Sequence, residues 1–155
     1  MGMIPARFER VSWDSLEVCE CSPPLAENFR GLALAAPSRV SSGQEAILPL
    51  AGAYQVGARF LNRFKSMANE ITLVAVNAAT HAPCSANLLR EGYEARPSGF
   101  SPSNPRLDRI VVAGYFNVDL FQWMKGLPRD PARYHVFATV GDVVSNVVTI
   151  EVAGT

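Results

Sequence analysis

A chain of 155 residues, 48% hydrophobic and 18% charged, carries enough apolar material to bury one core without a disulfide staple. Its 14 basic and 14 acidic residues cancel, so no long-range field steers nucleic acid or an anionic membrane toward it. No apolar run reaches the roughly 18 residues of a membrane span, and residues 1–10 lack the hydrophobic centre of a signal peptide. The expectation is a cytoplasmic protein as given, with a removed signal peptide left open.

Residues 1–29 are expected to be an N-terminal extension packed on a single domain over 30–153. Phe8, Val11, Trp13, Leu16 and Val18 are spaced like neither a helix nor a strand, and Pro23-Pro24 breaks whatever precedes it. A short edge strand over 16–21 is the expectation there. Strands follow at 32–35 and 44–50, joined by a turn through Pro37 and Ser41-Ser42-Gly43, with apolar residues continuing through Val56.

Over 57–69 the period changes. Phe60, Phe64 and Met67 stand at i, i+4 and i+7, which predicts an inserted amphipathic helix. Its aromatic stripe either packs on the domain edge or meets a partner. The run 71–76 predicts a central strand buried on both sides, 77–83 a turn, and 84–89 a short strand. Residues 91–108 hold three prolines and two glycines around Tyr93 and Phe100. That composition predicts a long loop, either an aromatic-tipped recognition loop or an irregular connection.

From residue 109, Ile110, Val112, Phe116, Val118 and Leu120 share one face of a strand, with Gly114 a bulge or crossing point. Asp119 is placed to cap a helix over 120–125 that Gly126 and Pro128 would stop. A hairpin follows, with Tyr134, Val136, Ala138 and Val140 on one face and His135, Phe137 and Thr139 on the other. A two-residue Gly141-Asp142 loop would leave neither face apolar. A three-residue loop, Gly141 to Val143, pairs Val140 with Val144, Val136 with Val148 and Tyr134 with Ile150; burial selects that register, or an equivalent bulge near Ser145.

Leu127-Pro128, Ala132-Arg133-Tyr134 and Val136-Phe137-Ala138 resemble the E-to-F corner and F strand of immunoglobulin-like and fibronectin-type-III-like domains. The resemblance spans about 45 residues and implies a mainly β, single-domain antiparallel β-sandwich of about seven strands with one or two short helices. It carries no functional residues with it. The paired cysteines and strand-C tryptophan of immunoglobulin domains proper are absent.

The inventory for chemistry is short. His135 lies on the strand face opposite the expected core and His81 in a turn, with no nucleophile motif, P-loop or H-E-x-x-H to serve either. Asp119 is explained as a cap, Asp142 as a turn residue and Glu151 as a polar-face residue. One constellation could hold a metal: Cys19 and Cys21, two apart in an extended segment, with His81 and Cys84. Cys3His would suit zinc, and the thiolates would also suit copper(I). A disulfide to Cys84, or free thiols packed as small hydrophobes, are the alternatives. The chain is therefore expected to be a non-catalytic protein-protein interaction or accessory module needing no cofactor. Tyr93, Phe100, Phe137 and Val147 would contact another protein or a second copy. A zinc or copper binding or delivery protein using Cys19, Cys21, His81 and Cys84 is the alternative, and a small enzyme assembled by the long loop the third reading.

Overall fold

The computed structural model describes residues 6–8, 13–43, 46–61, 70–88 and 109–154. These are mainly β. The strands are β1 (Asp14–Ser15), β2 (Gly31–Ala35), β3 (Arg39–Ser41), β4 (Pro49–Gly57), β5 (Thr72–Asn77), β6 (Pro83–Asn87), β7 (Val111–Asp119), β8 (Ala132–Val140), β9 (Val143–Val144) and β10 (Val148–Ala153). Two four-residue helices, α1 (Ala58–Leu61) and α2 (Leu120–Trp123), accompany them.

One sheet has the order β1-β7-β4-β2; the other runs β3-β10-β8-β5-β6, with β9 also on β8. Leu32, Leu34, Leu50, Val56, Phe116 and Val118 of the first sheet form one buried cluster with Val40, Leu73, Tyr134, Val136, Ile150 and Val152 of the second. Two sheets sharing one core are compatible with a β-sandwich. All pairings are antiparallel except β3 with β10, which is parallel, so the fully antiparallel expectation is corrected at that edge.

The parallel pair arises because the chain changes sheets. Where the sequence predicted a turn through Ser41, the segment after Pro37 becomes β3. The Glu151 amide donates to Ser38 O and the Ser42 amide to Ala153 O, tying it to the second sheet. The next strand starts at Pro49 rather than at residue 44, proline being tolerated as a first strand residue.

The nine-residue strands β4 and β7 pair without interruption from Pro49 opposite Asp119 to Gly57 opposite Val111. Gly114 is therefore neither a bulge nor a crossing point. It faces Tyr54, and a Cβ there would lie 2.2 Å from that ring. Gly52 faces Phe116 likewise, 1.9 Å from a built Cβ to the ring. Each aromatic lies over the glycine opposite, so the two glycines give both rings room.

Asp119 caps α2 as expected. One carboxylate oxygen accepts from the Phe121 amide at 3.0 Å and from the Leu48 amide at 2.9 Å, joining the helix start to the segment before β4. The helix ends at Trp123, short of the expected residue 125.

In the hairpin, Val148 faces Val136 and Ile150 faces Tyr134, while nearer the turn Val143 faces Val140. The loop is thus the two-residue Gly141-Asp142, with Gly141 at φ +57° as the first position of a II′ turn requires. A bulge after Val144 then shifts the register by one. There the Ser145 hydroxyl accepts from the Ala138 amide at 2.8 Å. Asn146 turns its side chain to β2 instead, accepting from the Leu34 amide at 2.8 Å and donating to the Leu34 carbonyl at 3.1 Å. It thereby covers part of that strand's open edge. Burial raises the Tyr134 hydroxyl above its ordinary value of 10.0, against a hydrogen bond from Asn77 that lowers it.

Of the predicted 57–69 helix only α1 is described, with Phe60 packed against the core; Phe64 and Met67 lie outside the described residues, as does the whole 91–108 loop. Among the described residues no helix is long and apolar enough to cross a membrane.

Candidate functional site

The alternation of β5, β8 and β10 sends one set of side chains to the core and the other outward. Outward on β8 are Arg133, His135, Phe137 and Thr139; register places Val74 beside Phe137, Val76 beside His135 and Thr72 beside Thr139. Thr149 and Glu151 of β10 lie beside His135 and Arg133 on the other flank, and Pro83, Ser85 and Asn87 of β6 complete the row. The 71–76 run is therefore buried on one face only, since Thr72, Val74 and Val76 are half-buried outward residues.

Charge on this face is confined to one end. Arg39, Glu151 and Arg133 are register neighbours across β3, β10 and β8, and they line an open cleft of about 710 Å³. The other outward positions of these strands carry no Lys, Arg, Asp or Glu, and His135 Nδ1 lies 3.0 Å from Thr149 Oγ1. Phe137 is half-buried there, and Val147, within the bulge, is 57% exposed. Tyr93 and Phe100 lie outside the described residues.

A second constellation lies on the outward face of the first sheet. Phe8, Cys21 and Ala51 are buried together there, with Trp13 and Cys19 packed against them, and the Phe8 and Trp13 rings stack at 6.2 Å. The N-terminal segment thus covers this sheet, held by an edge strand at Asp14–Ser15 rather than over 16–21. Asn117, 1% exposed on β7, secures it. Its amide donates to Ser15 Oγ at 3.0 Å and to Glu17 O at 2.7 Å.

Cys19 and Cys21 are joined to each other by a disulfide. This corrects the metal reading, which supposed an extended segment, the disulfide to Cys84, and the free-thiol reading for these two cysteines, which holds for Cys84 alone. Instead the Ser22 amide donates to Cys19 O at 3.0 Å, closing a β-turn. The turn brings the two Cα atoms to 5.2 Å, nearer than the roughly 6.6 Å of residues two apart in a strand and well suited to a disulfide. C-x-C followed at once by Ser, a turn former, was the available signal.

The four residues of the expected metal site do not come together. Cys84 is a free, half-buried thiol on β6 that faces Ala75 and packs on the core between the sheets. Cys19 and Cys21 lie across the first sheet from it. His81 is an exposed turn residue at φ +62°. Among the described residues no group of three or more His, Cys, Asp or Glu could hold a metal ion.

No family model, curated protein or solved structure matches the chain.

Proposed function

We propose that the chain is a non-catalytic interaction module on an immunoglobulin-like scaffold, engaging another protein or a second copy through the outward face of β5, β6, β8 and β10. Strand order supports the scaffold. With β2, β4 and β7 as strands A, B and E, and β5, β8 and β10 as C, F and G, the pairings are those of an immunoglobulin-like sandwich, and β6 takes the extra place beside C. The short helix α2 joins E to F. One departure is that β1, from the N-terminal segment, occupies the place of strand D.

The observation that carries the interaction reading is the composition of the outward face. Its centre is the Val74–Phe137 cross-strand pair, flanked by Thr72, Val76 and Thr139, with no charged residue among these five. A solvated sheet face is ordinarily polar and charged, whereas depletion of charge around an aromatic marks the centre of a protein interface. Phe137→Asp puts a charge at that centre. The expected result is a retained circular dichroism spectrum with loss of self-association or of partner capture, read by light scattering and by affinity capture. Unchanged association in a folded variant would sink the proposal.

A further inference from the structure

The disulfide of the N-terminal segment has properties unlike those of a staple. It closes a loop of only three residues, where a cross-link constrains the unfolded chain least. Its two residues differ in access: Cys21 is 2% exposed, whereas Cys19 is half-buried.

Polar groups are arranged for a thiol at Cys19. The Ser22 hydroxyl lies 3.5 Å from Cys19 Sγ, positioned to donate to it. On the other side, Asn117 Oδ1 is 3.5 Å from the same sulfur. The carbonyl of Glu17 fixes the orientation of the Asn117 side chain, since only its NH2 can donate there. Oδ1 therefore faces Cys19. A disulfide sulfur has no proton, so in the oxidised form this acceptor, on a side chain 1% exposed, meets a sulfur that cannot donate. Reduction gives Cys19 an S–H at hydrogen-bonding distance from it. Buried acceptors without donors are costly, so the pocket favours the dithiol more than an apolar pocket would.

We infer that Cys19 and Cys21 form a redox-active dithiol–disulfide couple that exchanges with external thiols through Cys19. A thiolate RS⁻ attacks Cys19 Sγ, forming the R–S–Cys19 bond while the Cys19–Cys21 bond breaks. The bonding pair leaves on Cys21 Sγ, which takes up a proton. A second thiolate then attacks the sulfur of R, releasing RSSR and leaving Cys19 to be protonated. Two thiols are oxidised to one disulfide, and two electrons and two protons pass to the chain; run backward, the Cys19–Cys21 dithiol reduces an external disulfide and re-forms its own bond. The reductant is a small thiol of the glutathione class or a protein dithiol.

The test uses the full chain carrying Cys84→Ser, equilibrated with mixtures of reduced and oxidised glutathione in one arm and with a thioredoxin-type protein dithiol in the other. Alkylation and mass spectrometry count the thiols. The couple is expected to pass reversibly between disulfide and dithiol as the ratio changes, with the sheet spectrum retained. The arm that equilibrates faster identifies the kind of thiol. With oxidised glutathione, the Cys21→Ser variant, which keeps Cys19, should form a mixed disulfide about tenfold faster than the Cys19→Ser variant, because access controls the reaction. If either variant loses its spectrum, peptide mapping of the acid-quenched, Cys84→Ser chain shows which cysteine carries the glutathione. A bond that stays oxidised in both arms until the protein is denatured, two thiols that never pair in air, or capture mainly at Cys21 would each overturn the inference.

Discussion

Ala51 and Phe137 both point away from the space between the sheets, each on a long strand with a neighbour on either side, yet Ala51 is fully buried and Phe137 is not. The first lies under the N-terminal segment, which brings Phe8, Trp13 and the Cys19–Cys21 turn across the first sheet. The second lies on a face whose other described residues come from the strands of its own sheet. Alternation is the same in both strands; what differs, among the described residues, is whether another segment of the chain covers the outward half. A covered face converts outward residues into core and makes them sensitive to size and polarity. An open one leaves them free to serve a partner.

The same substitution on the two faces should break the symmetry most clearly. Ala51→Asp buries a carboxylate against Phe8 and Cys21 with no partner. It should cost about 3–5 kcal/mol, seen as a large fall in the urea midpoint or as failure to fold. Removing the tie that holds the covering segment should do less. Asn117→Leu removes the donor that reaches the Ser15 hydroxyl and the Glu17 carbonyl, and should cost about 2–3 kcal/mol. Hydrogen exchange would report faster opening of Asp14–Ser15 with β4 and β5 unchanged. Phe137→Asp on the open face should cost about 1 kcal/mol, the range of strand preference at a partly exposed position, while abolishing association. Val144→Thr, at a position 61% exposed beside the bulge, should move stability by less than about 0.5 kcal/mol. If thermal unfolding instead ranked Phe137→Asp with Ala51→Asp, the second face would be covered too and the contrast would fail.

Where the residues that decide a feature are close in sequence, it was legible beforehand. The Asp119 cap could be read from its place ahead of Leu120. The pairing of Val136 with Val148 and Tyr134 with Ile150 followed from asking which register buries the hairpin's apolar set, and the bulge near Ser145 followed from the same constraint. The outward position of Phe137 came with it. Less was legible in residues 31–57. Whether the stretch after Pro37 turns back or crosses to the other sheet depends on β10, more than a hundred residues away. Local pattern holds no information about so distant a partner. Gly114 was singled out for its scarcity in strands, but its role is set by Tyr54 across the ladder. Cys19 and Cys21 stand out as a pair in the sequence, but an extended segment leaves them as free thiols or metal ligands, whereas hydrogen bonds between Cys19 and Ser22 fold that segment into a turn that joins them.

The sequence by itself determined that the chain is mainly β, where its helix cap falls and how its last hairpin pairs beyond the bulge, though not the two-residue loop that closes it, because period and capping act over a few residues. Only the tertiary structure decided which strands share a sheet, which outward face is sealed and that Cys19 meets Cys21 beside Asn117. These depend on segments far apart in the chain finding one another, and the burial that rewards such encounters exists only once both sheets and the N-terminal segment are in place.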